Sequence, residues 1–193
     1  MMRATLLGRL LVGIIASVAL LACTANDPST DGPVSRSFSL STDPSVVVIS
    51  RTSPPGFNGQ QVTHKFFADG QYIYEHKNNA GPVSKWNKSL SLDQLNQLVG
   101  LLVEGGVIDT SGEELTRRVF EKYGRFSESH PSTITIHLEL ASYRRNGEEL
   151  GPISKTIRIR SLGALHMVAP EVEELGALMD FIRQMHEYGK GRR

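Results

Sequence analysis

Residues 133–140 read TITIHLEL, and their parity decides the fold. Ile134, Ile136, Leu138 and Leu140 alternate with Thr133, Thr135, His137 and Glu139. Successive side chains of a strand point to opposite faces, so this strand buries one face and wets the other. Downstream, Arg145-Asn146-Gly147 turns the chain, and Thr156-Ile157-Arg158-Ile159-Arg160 returns it with the same alternation. Thr135, His137, Glu139, Arg158 and Arg160 would then line an open side of the sheet, a candidate partner surface.

Working upstream, more strands appear. Val46-Val47-Val48-Ile49 is a short β-branched run that reads as a buried strand. Val62–Ala68 and Gln71–His76 flank Asp69-Gly70, a strong hairpin signal. Val83–Lys88 adds a further short strand carrying Trp86, an aromatic that suits either a core or a binding face. A helix follows: Ser91 caps it, Gln94 completes a capping box, and Leu90 and Leu95 form a hydrophobic staple. Leu92, Leu95, Leu98, Val99 and Leu102 share one helical face, and Gly105-Gly106 ends the helix. Gly112–Lys122 forms a weaker helical stretch with Glu113, Glu114, Arg117 and Arg118 on a solvated face. Pro170 suits the first position of a last helix, with Glu171, Glu173 and Glu174 at its positive end and Val172, Leu175, Met179 and Ile182 as its apolar stripe. Strands, helix, strands, helix: the expected fold is α+β, an antiparallel β-sheet with two main helices packed on one face. A single domain is expected over residues 44–188, with residues 189–193 a disordered tail.

The N-terminus has a different character. Arg3 and Arg9 precede Leu10–Ala22, thirteen residues without a charge. That is short of the ~20 apolar residues of a spanning helix and reads as a signal peptide over residues 1–22. The run ends Leu20-Leu21-Ala22-Cys23, which resembles the lipobox of bacterial lipoproteins. The resemblance implies diacylglycerol transfer to the Cys23 sulfur, cleavage after Ala22, and acylation, for instance by palmitate, of the new amine. Two or more acyl chains hold a protein stably on a membrane, where one does so marginally. Thr24, standing where Asp would favour retention, implies the outer membrane, with the domain facing the periplasm or the exterior. Residues 23–43 are polar and turn-rich and read as the lipidated cysteine and a flexible tether, although Phe38 and Leu40 alternate with serines as an edge strand would.

Removing Arg3 and Arg9 from 21 basic residues leaves 19 against 20 acidic ones, which is no footprint of a nucleic-acid binder. The single cysteine excludes an internal disulfide. Of His64, His76, His130, His137, His166 and His186, none lies in a G-x-S-x-G or H-E-x-x-H motif. His64 and His137 fall on strands and could approach, but no ligand spacing joins them. Glu113-Glu114, Glu148-Glu149 and Glu173-Glu174 sit at helix starts or turns, where solvated carboxylates are ordinary. Gly56 and Gly59 lead into no helix start with a lysine, so no phosphate cradle is indicated. No catalytic residue, metal or cofactor is assigned, and no enzyme is indicated.

One loop stands out: Arg51-Thr52-Ser53-Pro54-Pro55-Gly56-Phe57-Asn58-Gly59. Its plain reading is a proline-rigidified turn between two strands. Its functional reading is a protruding loop offering Phe57 and Arg51, residue types enriched at interface hot spots. The order of elements resembles small bacterial lipoproteins. The loop is also similar to that of emfourin-type inhibitors of thermolysin-like metalloproteases, in which Arg-Ser-Gly-Gly-Phe-x-Gly follows a strand. Carried over, the resemblance implies Arg51, Thr52, Gly56, Phe57 and Gly59 as binding residues, with Ser53-Pro54-Pro55 replacing the glycine pair. The expectation is a lipid-anchored cell-envelope protein with a non-catalytic binding or structural domain, reaching the membrane through Cys23 and an envelope protein through its fold. The alternative is an inhibitor of an extracytoplasmic, thermolysin-like protease.

Overall fold

The computed structural model describes residues 34–54, 59–125 and 132–189. The signal peptide, Cys23, Gly56, Phe57, His130 and residues 190–193 lie outside them. Along the chain run β1 (Arg36–Ser39), β2 (Val47–Ser53), β3 (Gln61–Phe67), β4 (Gln71–Asn78), β5 (Gly81–Ser89), α1 (Leu92–Glu104) and a 3-10 turn at Val107–Asp109. Then come α2 (Gly112–Tyr123), β6 (Thr133–Arg145), β7 (Glu148–Arg160), α3 (Leu162–Val168) and α4 (Glu173–Gly189). The strands form one antiparallel sheet and the fold is α+β, within one compact unit.

The TITIHLEL strand is the sheet's spine. β6 pairs with β7 along its whole length; on its other side it pairs first with β2 and then with β1. The sheet continues from β2 through β3 and β4 to β5, which leaves β7, β5 and the short β1 as edges. The β6–β7 hairpin closes on Asn146-Gly147, both in the left-handed region that a two-residue turn demands. At the β3–β4 turn, Gly70 also has positive φ, and a Cβ there would collide with the Leu90 carbonyl oxygen. Glycine is therefore required twice over at that position.

Period-two alternation sorts the faces. Ile49, Phe66, Ile136, Leu138, Ile157 and Ile159 are buried against the helices. A bulge between Val47 and Ile49 brings Val48 into the buried set as well. From α1 come Leu95, Leu98, Val99, Leu102 and Val103; from α4 come Leu175, Leu178, Phe181 and Met185, spaced as one helical face. Each such fully buried side chain contributes roughly 1.5–3 kcal/mol. The expected capping box of α1 is present: Gln94 N–H donates to Ser91 Oγ at 3.2 Å, and Ser91 N–H donates to Gln94 Oε1 at 2.9 Å. The α1 and α4 backbones approach so closely that a Cβ at Gly105 would collide with Ala177 Cβ.

Four expectations are corrected. The tether does not extend to residue 43, because Arg36–Ser39 pairs with Ser142–Arg145 and Phe38 packs on the core. β6 outruns β2, and its exposed backbone takes β1 as a partner; Arg36 Nε donates to Asp109 Oδ2 at 2.7 Å and ties the strand to the 3-10 turn. Pro170 is not the first residue of α4. The chain forms α3 first, turns at Pro170-Glu171 with Val172 N–H donating to the Ala169 carbonyl, and begins α4 at Glu173. Leu92 faces solvent at the start of α1 rather than joining its buried stripe. The α4 stripe is centred on Leu175, Leu178 and Phe181, with Val172, Met179 and Ile182 at its margin.

Candidate functional site

The loop singled out from the sequence joins β2 to β3. Ser53 pairs with Val62 as the last rung of the β2–β3 ladder. Gly59 has φ +71, and a Cβ there would run into the Asn79 side chain in the β4–β5 turn. Two neighbouring hairpin tips therefore touch at this end of the sheet. Thr52 lies on the open face, in register between Thr135 of β6 and Thr63 of β3.

Arg51 goes the other way. Parity sets it beside Ile49 on the helix-covered face, opposite Ile136 and His64, and it is only 8% exposed. This corrects the expectation that the guanidinium is presented to a docking partner. Arg51 Nη1 lies 3.3 Å from His64 Nε2, and His64 Nδ1 lies 2.7 Å from Tyr72 Oη. A guanidinium only donates, so Nε2 must accept and Nδ1 must carry the imidazole proton, which it donates to Tyr72. The hydrogen bonds run in one direction, from cation to neutral imidazole to phenol.

Aromatic rings close the cluster. His64 stacks on Tyr72, meets Tyr74 edge-on at 5.3 Å, and lies 6.4 Å from the His186 ring of α4. Phe66 stacks on Tyr72 at 4.5 Å, and Trp86 stacks on Tyr74 at 5.3 Å. Trp86 is thus half-buried packing of the β4–β5 edge.

The electrostatics follow from burial. Burial, then the charges of Arg51 and His186, push the His64 imidazole down to about 3. Burial, with the neighbouring Tyr74, raises the Tyr72 phenol against the opposing pull of Arg51. Burial lowers the Arg51 guanidinium, partly offset by Tyr72. Among the described residues no carboxylate pairs with Arg51, and its Nε is buried without a partner. An effective general base titrates near neutrality and has a free lone pair. His64 titrates far below that, with its lone pair on Arg51. The cluster is therefore a structural polar core, unsuited to proton transfer at neutral pH.

His64 and His137, both on strands, do not approach one another. His64 is on the covered face, while His137 is on the open face, 3.2 Å from Thr156 Oγ1. Among the described residues no three His, Cys, Asp or Glu side chains are grouped to hold a metal ion. The Arg51–His64–Tyr72 cluster was missed in the sequence, although parity contained it: Arg51 is two residues from Ile49, His64 two from Phe66, and Tyr74 two from Tyr72.

The open face is a set of cross-strand rows. One runs Arg158, Thr135, Thr52, Thr63, Glu75 and Lys85, and Lys85 Nζ lies 3.1 Å from Glu75 Oε1. The next runs Thr156, His137, Ser50, Lys65, Ile73 and Asn87. Compared with known proteins, the chain matches no family model and no curated protein.

Proposed function

We propose that this is a lipid-anchored protein of the cell envelope whose α+β domain works by binding a protein partner rather than by catalysis. The anchor rests on the N-terminal sequence, with Cys23 as the lipidated residue. Among the described residues no helix is long and apolar enough to cross a membrane. The observation that carries the binding role is the open sheet face. It is broad, and most of its residues in register are short hydroxyls and single charges, a surface able to form many directional contacts.

The test has two arms. Labelled palmitate should enter the wild-type chain in cells and not a Cys23→Ala variant. A photo-crosslinking side chain at Thr63 or Thr135 should yield a discrete adduct in cells, and one at Arg183 on exposed α4 should not. Adducts from Arg183 alone would move the binding surface to the helical side and refute this reading.

A second reading is inhibition of an extracytoplasmic, thermolysin-like protease. It is favoured by the sequence beyond the last β2–β3 rung, where Gly59 lies against Asn79 of the β4–β5 turn. Phe57 and Gly59 then remain as candidate contacts, with Arg51 supporting the loop's base from inside. An equimolar amount of the chain should slow thermolysin, and unchanged hydrolysis would remove the reading.

A further inference from the structure

At the opposite end of the β6–β7 hairpin from its turn lies a cavity of about 690 Å³ between α2 and the last residues of β7. Its size falls within the roughly 300–1,000 Å³ of small-molecule sites. The floor is set by a close approach of backbones. Gly112, the first residue of α2, lies so close to β7 that a Cβ would collide with the Arg158 carbonyl oxygen. α2 is therefore seated on the strand backbone, and its side chains are held at a set distance from those of β7.

The lining is chemically unusual. Four arginines, Arg117, Arg125, Arg158 and Arg160, meet there with Glu113 and Glu121, so the wall carries a net +2. Arg117 is spoken for, at 2.7 Å from Glu114 Oε1 and 2.6 Å from Glu121 Oε1. Arg125, Arg158 and Arg160 have no acidic partner among the described residues. Like charges gathered in a concavity repel one another and focus the field on whatever anion enters. Arginine forks suit the planar or tetrahedral oxygens of carboxylate and phosphate. Between the charges lie the Phe120 ring and the methylene stems of the arginines, which favour an apolar body.

We propose that this cavity binds an anionic amphiphile, a phosphate monoester on an apolar chain. Its headgroup sits on Arg158 and Arg160, with Arg125 at the rim, and its apolar portion lies along Phe120. A dianionic phosphate matches the +2 wall better than a single carboxylate does. The same chemistry exists in a soluble alkyl phosphate and in the headgroup of phosphatidic acid. The site shares Arg158 and Arg160 with the open face read as a protein-docking surface, but it takes a small anion and is tested without a protein partner.

Calorimetric titration of the full chain with octyl phosphate, below its micelle concentration, tests it. We expect one molecule bound per chain, binding weakened by salt, and a loss of about tenfold or more in an Arg158→Ala/Arg160→Ala double variant. Both arginines are exposed on an edge strand, and an unchanged melting temperature would show that the variant folds. Octanol or inorganic phosphate binding as tightly as octyl phosphate would overturn the proposal, as would full affinity in the double variant. Co-sedimentation with phosphatidylcholine vesicles, with and without phosphatidic acid, separates the sources. Capture by the acidic vesicles alone assigns a bilayer lipid; octyl phosphate binding without capture assigns a free amphiphile. Either upholds the site, and failure of both octyl phosphate and acidic vesicles to bind refutes it.

Discussion

Mild acid should destabilise this domain through one residue, His64. In the folded state its imidazole is held neutral down to about 3, while an unfolded histidine titrates near 6.5. Because the folded pKa lies below the unfolded one, the unfolded chain binds more protons between those values. Stability is therefore full above about pH 6.5 and falls as pH drops toward 3. At pH 5 the unfolded side chain is charged and the folded one is not. The roughly 1.5 pH units involved, at about 1.4 kcal/mol each, remove about 2 kcal/mol. That is a large part of the ~5–15 kcal/mol of an ordinary domain. The geometry explains why the folded state does not accept the proton: a second N–H on Nε2 would point at Arg51 Nη1, 3.3 Å away. Asp43, Glu75, Glu114 and Glu171 have carboxyls lowered by their hydrogen-bonding partners. Their contribution is present above the unfolded carboxylate pKa and is lost only below about pH 4.5, under the pH 5 limit of the comparison below. Urea unfolding at pH 7.5, 6 and 5 should show the wild type losing about 2 kcal/mol. A His64→Gln variant keeps an acceptor for Arg51 and should be weaker at pH 7.5 by about 1–3 kcal/mol, with a flat response to pH 5. A wild type equally stable at pH 7.5 and 5, or a His64→Gln variant with the wild-type slope, refutes the reasoning.

Three further perturbations follow from packing and capping. Gly112→Ala forces α2 off the β7 backbone and should cost about 1–3 kcal/mol; an unchanged thermal melt would contradict the close approach. Ser91→Ala removes the Oγ that accepts from the Gln94 N–H, one half of the α1 capping box, and should cost about 1 kcal/mol in chemical denaturation, without changing its slope. Phe181→Ala empties the middle of the α4 face and should cost about 3–5 kcal/mol; a loss under 1 kcal/mol would mean that the α4 register is wrong.

Local rules carried much of the architecture. Period-two alternation over 133–140 and 156–160 identified β6 and β7, and the Asn146-Gly147 and Asp69-Gly70 turns require backbone angles that glycine readily supplies. The Ser91 cap was legible because its partners lie within three residues. β1 was not legible as part of the domain, since four residues with one aromatic cannot declare themselves a strand. Its partner is 103 or more residues away, and its place depends on how far β6 extends. α3 escaped for a similar reason: its buried Leu162 and Leu165 are too few to show a helical period.

The sequence by itself determined the α+β class, the antiparallel hairpins, the main helices and the resemblance of residues 20–23 to a lipidation signal. All of these depend on neighbours within a turn or a strand. Parity put Arg51 and His64 in step with buried neighbours, but tertiary structure decided that Arg51, His64 and Tyr72 meet and that Arg117, Arg125, Arg158 and Arg160 share one cavity. Which face of a strand is covered depends on where distant helices settle. Charges from α2 and β7 meet only because one small residue, Gly112, lets a helix rest on a backbone it follows by no local rule.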